Sequence, residues 1–110
     1  MLQRAGRVAT GAVLLLALAA ATSAGEISSQ RASQLTYLVL EDCGSCHGMT
    51  LKGGLGKPLR PADLEDLGSE AIATAILDGV PGTPMPPWRG LLTEDEAHWI
   101  AEALKQGLIK

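Results

Sequence analysis

Cys43-Gly44-Ser45-Cys46-His47 is the stretch that decides how this chain folds. Two thiols separated by two residues, with an imidazole directly after the second, form the attachment pattern of a c-type haem. Each thiol can bond one porphyrin vinyl carbon while the next residue offers its ring to the iron. The vinyl groups sit on neighbouring pyrrole rings, so one short turn of backbone spans them and brings His47 beneath the porphyrin. On this reading Cys43 and Cys46 anchor one haem c, and His47 ligates its iron.

Other uses of the pair fit less well. A disulfide leaves the following histidine unexplained, and a thioredoxin-like redox pair expects a βαβ pattern that the sequence lacks. A structural zinc site needs a fourth ligand, yet the only other His or Cys is His98, within a helical pattern far along the chain.

Composition agrees with a small exported domain. A length of 110 residues allows one domain. At the N-terminus Arg4 and Arg7 precede an uncharged apolar run from Val8 to Ala21, followed by the small residues Thr22-Ser23-Ala24. This is the pattern of a secretory signal peptide over residues 1–24, with cleavage expected after Ala24 and the domain proper over 25–110. The run is short of the about 20 residues that span a bilayer, which favours a cleaved signal over the alternative of an uncleaved anchor, and no membrane association is expected once the signal is removed. Both cysteines then lie in an oxidising compartment, and a bacterial periplasm suits covalent haem. After cleavage, seven Lys and Arg face twelve Asp and Glu, a balance that argues against nucleic acid and anionic membranes.

The chain has no Phe, one Tyr and two Trp, and is short of the large rings that fill a core. A haem supplies that volume. Burying a few hundred Å² of porphyrin at roughly 25 cal/mol/Å² contributes on the order of 10 kcal/mol, comparable with the stability of a whole domain.

Along the exported part, Ser28 or Ser29 can cap a first helix with Leu35, Leu38 and Val39 on one stripe, widened by Tyr37 and Leu40. From Gly48 to Pro61 glycines and prolines replace any helical period, so a loop is expected, one of whose carbonyls would accept the Nδ1 proton of His47. Pro61 to Leu67 suits a short helical turn. Ser69 is expected to cap a helix running to Asp78, with Ile72, Ala75 and Ile76 inward and Gly79 ending it. Thr93-Glu94-Asp95-Glu96 is a capping box, opening a helix whose buried face carries Ala97, Ile100, Ala101 and Leu104. His98 on that helix is expected to face solvent.

Between these helices lies Pro81-Gly82-Thr83-Pro84-Met85-Pro86-Pro87-Trp88. Four prolines around one methionine exclude helix and central strand and make a stiff extended loop. Stiffness favours a weak thioether ligand, because little entropy is lost on bonding. Met85 is therefore the expected sixth ligand, and Met with His is the axial pair that raises a cytochrome c potential. Trp88 can pack on the haem edge or donate its indole N–H to a propionate, and Arg60 or Arg89 can pair with a propionate.

With the attachment motif at one end, Pro84-Met85-Pro86-Pro87 downstream and a capped terminal helix, the chain resembles a small bacterial class I cytochrome c. Asp42-Cys43-Gly44-Ser45-Cys46-His47-Gly48, Thr50-Leu51-Lys52-Gly53-Gly54-Leu55-Gly56 and Pro81-Gly82-Thr83 with Met85-Pro86-Pro87-Trp88 resemble, in combination, the NirC family of short monohaem cytochromes. The resemblance implies an all-α class I cytochrome c fold, with three to four helices and loops wrapped around one covalently bound haem. It also implies a monomeric periplasmic one-electron carrier, not an enzyme. That carrier would take electrons from an upstream donor and pass them to dissimilatory nitrite reductase in denitrification. The alternative it implies is an enzyme or accessory protein in d-type haem biosynthesis. Class I proteins usually place Pro directly after the glycine of the loop that supports the ligating His. Here Lys57 follows Gly56 and Pro58 comes one later, which leaves the Nδ1 acceptor open.

Overall fold

A computed structural model describes residues 6, 9, 11–14 and 26–110. The signal segment expected over residues 1–24, with its cleavage point after Ala24, falls largely outside the described residues. Among the described residues there are helices and no strands, and no helix is long and apolar enough to cross a membrane.

The first helix, α1 (Ser29–Leu38), starts at Ser28, whose Oγ accepts from the backbone N–H of Arg31 at 3.1 Å. Leu35 and Val39 are fully buried and Leu38 is half-buried, as the stripe requires. Tyr37 departs from the expectation and is 69% exposed. It lies two residues from Leu35, about 200° around the helix, so it cannot share the buried face.

α1 runs without a break into a π-helical turn, Val39–Cys43, and then into the single-turn α2 (Gly44–His47). Gly44 N–H donates to the Val39 carbonyl, a step of five residues. In a regular α-helix Cys43, four residues on, would follow Val39 on the buried stripe. The wider turn puts Gly44 there instead, buried, and leaves Cys43 half-buried and Cys46 exposed.

After loop 48–60 comes α3 (Pro61–Leu64), led by the Arg60 N–H donating to the Asp63 carboxylate at 3.0 Å. The next helix, α4 (Ser69–Asp78), is capped by Gly68, with no side chain accepting there. Ser69, expected as the cap, is the first helical residue, and its hydroxyl donates to Glu102 on the last helix. The buried face of α4 is Ile72, Ala73, Ile76 and Leu77, while Ala75 is only half-buried.

The last helix, α5 (Glu94–Lys105), organises the core. It packs most extensively on α4 and also meets α3 and α1. Ala97, Ile100, Ala101 and Leu104 are buried, as their spacing predicts. The largest fully buried side chains are Leu35, Leu64, Ile100 and Val39, with no aromatic ring among them.

The capping box forms as expected, with Thr93 Oγ1 accepting from Glu96 N at 3.1 Å and Thr93 N donating to Glu96 Oε1 at 3.0 Å. The other Glu96 oxygen accepts from Arg31 Nε, which joins the start of α5 to α1. Glu96 is buried, and the Arg31 guanidinium, helped by the Thr93 N–H, holds its carboxyl below the usual range. A carboxylate depressed on folding stabilises the protein above its unfolded pKa, and that contribution is lost as pH falls through the folded value. Glu96→Gln should therefore lower the unfolding midpoint at neutral pH. Its deficit should shrink in acid as the wild-type carboxyl protonates, a trend read from thermal melts at stepped pH. Thr93→Ala should cost about 1 kcal/mol in denaturant unfolding.

Candidate haem-binding site

Cys43 ends the π-helical turn, Cys46 and His47 stand on α2 directly after it, and the two cysteines form no disulfide with each other. Before haem is bonded, burial, reinforced by the neighbouring Asp42 carboxylate, pushes the Cys43 thiol up to about 11.

The imidazole of His47 is half-buried, and its Nδ1 lies 2.7 Å from the carbonyl oxygen of Lys57. A carbonyl carries no proton, so Nδ1 is the donor and the neutral ring keeps its lone pair on Nε2. Nε2 is thus left bare for a metal. The acceptor that the sequence left open is the carbonyl directly before Pro58.

The loop that supplies this carbonyl is folded back against α2. Gly53 N donates to the His47 carbonyl and Gly56 N to the Cys46 carbonyl, both at 2.8 Å, using oxygens that the end of α2 leaves unpaired. Leu51 is buried at φ +58°, a left-handed conformation that costs a leucine about 1–2 kcal/mol. Its N–H donates to the Gly48 carbonyl at 2.8 Å and its carbonyl accepts from Leu59 at 2.9 Å. Gly56 lies against the imidazole. A Cβ there would come within 2.8 Å of Nδ1 and Cε1 of His47, so only glycine lets the ring reach Lys57.

Met85 stands on the loop between α4 and α5 and is half-buried. Its carbonyl accepts from Val80 N at 3.3 Å and its N–H donates to Thr83 Oγ1 at 3.3 Å, while Thr83 Oγ1 donates to the Val80 carbonyl at 2.7 Å. Gly79 makes this turn possible. It adopts φ +68°, and a Cβ would meet the Met85 oxygen at 2.7 Å. At the far side Trp88 N donates to the Ile76 carbonyl at 3.0 Å and Arg89 N to the Leu77 carbonyl at 3.0 Å, so the loop is pinned to the end of α4. Trp88 is half-buried against the core.

Arg60 donates through Nε and Nη2 to Asp63, at 2.8 and 3.2 Å, and Arg89 donates to Asp78 and Glu94, so both guanidiniums are held by carboxylates of the chain. His98, expected to face solvent, is half-buried with Nε2 3.5 Å from a Glu70 oxygen. Among the described residues no His, Cys, Asp and Glu cluster could hold a bare metal ion. The donors present are thiols, an imidazole with its Nδ1 committed, and a thioether. That set suits haem iron, which takes nitrogen and sulfur axial ligands.

Comparison with known proteins agrees. Residues 30–102 match the family model described as cytochrome C oxidase, cbb3-type, subunit III. Cytochrome c55X of Paracoccus denitrificans is 50% identical over 93 residues, which covers 84% of this chain and 90% of that protein. The chain belongs to the cytochrome c55X family. It is a small monohaem c-type cytochrome with covalently bound haem c, Cys43 and Cys46 conform to the attachment motif, and proteins of this family carry electrons. Cytochrome c55X of Pseudomonas aeruginosa is 49% identical over 81 residues, covering 74% of this chain and 68% of that one. Among solved structures, a c-type cytochrome NirC superposes with a TM-score of 0.74 at 47% identity, covering 76% of this chain and 98% of the other. The dihydro-heme d1 dehydrogenase NirN in complex with DHE matches with a TM-score of 0.59 at 33% identity, over 64% of this chain and 15% of that one. The all-α class I cytochrome c fold is thereby established.

Two outcomes follow from the site. Replacing Cys43 and Cys46 together by Ala should give a chain that loses its haem on denaturation, whereas the wild-type chain keeps it. Gly56→Ala should push the imidazole off Lys57 and speed exchange of the Nδ1 proton in NMR spectra. Gly90→Ala, which meets nothing within 4 Å, should leave that proton unchanged.

Proposed function

We propose that this cytochrome is a periplasmic one-electron carrier whose haem iron is held by His47 on one side and Met85 on the other, donating electrons to dissimilatory nitrite reductase. The observation that carries this reading is the 2.7 Å contact between His47 Nδ1 and the Lys57 carbonyl, which frees Nε2 and aims it. Haem c supplies a one-electron ferric/ferrous couple. His47 and Met85 would hold the iron in either oxidation state, so that little of the chain would rearrange on electron transfer.

The residues suit that task. The Lys57 carbonyl fixes the orientation of the imidazole through its Nδ1 bond. The Met85 thioether sits on a turn closed by Val80, Thr83 and Gly79, so little conformational freedom is lost when it bonds. The haem edge beside Cys43, Gly44 and the Met85 loop is the proposed contact patch, used in a small transient interface of under about 1,200 Å². Residues 1–24 serve as the export signal and residues 25–110 as the working domain, acting as a monomer.

The partner is inferred from the NirC likeness at 47% identity. A second reading has its own support in the likeness to a stretch of a dihydro-heme d1 dehydrogenase. There the cytochrome would serve maturation of d-type haem, as accessory protein or enzyme.

Met85→Ala should leave the haem attached and lower the reduction potential, measured by spectroelectrochemical titration; an unchanged potential removes Met85 from the iron. The wild-type protein should resist rapid binding of carbon monoxide and cyanide, whereas rapid binding favours the enzyme reading. Purified nitrite reductase should be reduced faster by this protein than by an unrelated small periplasmic cytochrome. Equal rates for the two would remove nitrite reductase as the specific partner.

A further inference from the structure

The loop that carries Met85 spans residues 79–93, between the last residue of α4 and the first of α5. Both of those flanking residues are carboxylates, Asp78 and Glu94, and one arginine from within the loop joins them. Arg89 Nε and Nη2 donate to the two oxygens of Asp78 at 2.8 and 3.0 Å, in the bidentate geometry that a planar guanidinium favours. Its Nη1 donates to Glu94 at 3.2 Å, and its backbone N–H donates to the Leu77 carbonyl at 3.0 Å.

These contacts close a ring around the methionine. Inside it, Val80 N holds the Met85 carbonyl and Trp88 N holds the Ile76 carbonyl. The inner bonds fix the turn itself, and Arg89 fixes the separation of its ends.

We propose that Arg89 is a positioning residue for Met85, clamping Asp78 to Glu94 so that the loop presents its thioether to the iron and resists opening to other ligands. The inference rests on the reading of Met85 as the sixth ligand. It makes the hold on the iron sensitive to a surface ion network formed by Asp78, Arg89 and Glu94. The groups are about half exposed or more, so the network is screened by salt and its effect is modest. A lysine cannot replace it, because an ammonium offers one point charge where two carboxylates are bridged by a fork.

Cyanide affinity of the intact ferric haem protein reads the clamp, since cyanide must displace the sulfur. At low ionic strength Arg89→Gln and Asp78→Asn should each raise that affinity by about two- to fivefold, with Arg89→Lys close to the glutamine variant. The difference from wild type should close in about 1 M salt. Arg31→Gln, which breaks the ion pair to Glu96, should lower the unfolding midpoint while cyanide affinity stays at the wild-type level. Wild-type affinity in both Arg89→Gln and Asp78→Asn at low salt overturns the clamp, as does an increase that persists undiminished at high salt. If Arg89→Gln does not fold, Asp78→Asn removes the same bidentate pair without touching the loop and decides the matter alone. Met85→Ala separates the two ways of failing. If it raises cyanide affinity and the clamp variants do not, only the clamp is wrong. If it leaves the affinity unchanged, the sixth-ligand reading falls and the clamp falls with it.

Discussion

One hydrogen bond sets the terms for this molecule: the proton on His47 Nδ1 is given to the Lys57 carbonyl. Because an amide oxygen can only accept, the bond selects the tautomer, turns the ring and leaves one nitrogen unprotonated. Much of the neighbouring backbone is arranged to permit it. Gly56 has no side chain to meet the ring, and Leu51 takes a left-handed conformation that leucine resists. The carbonyls of Cys46 and His47 hold the loop in place through Gly56 and Gly53. Local strain of this kind persists only where surrounding contacts over-determine it.

How much of this was legible in the sequence depends on how local each feature is. The attachment motif was readable because its chemistry lies within five consecutive residues, and the family comparison bore out the haem it implied. The capping box at Thr93 and Glu96 and the proline-rich setting of Met85 were readable for the same reason. The Lys57 acceptor was not, since it depends on how a ten-residue loop folds back, although a carbonyl placed directly before Pro58 was a usable hint. Ser69 misled because its hydroxyl is taken by Glu102, thirty-three residues away, and Gly68 caps in its stead. Arg60 and Arg89 were open to a propionate on charge alone, and only the fold shows carboxylates of the chain beside them.

The last helix joins the frame to the methionine loop. α5 meets α1, α3 and α4, and its first turn receives Arg31 from α1 and Arg89 from the methionine loop. The core that these helices close contains aliphatic side chains without a fully buried ring. Such a core is small for a domain of this length, which accords with a covalent porphyrin supplying much of the apolar burial. The polar contacts around it determine direction more than strength, since most are exposed pairs of modest energy.

The five-residue step between Val39 and Gly44 has a consequence for sequence change within the family. A helix that advances by five at one point holds one more residue than its rise requires, and loss of that residue would restore an unbroken α-helix without disturbing Leu35 or Val39. Gly44 would then follow Val39 at four residues instead of five and keep its buried place, so the turn that carries Cys46 and His47 would stay where it is. Among descendants of this chain, loss of one residue between Val39 and Cys43 should therefore be tolerated, whereas one further insertion there would turn the thiols about 100° away from their present face.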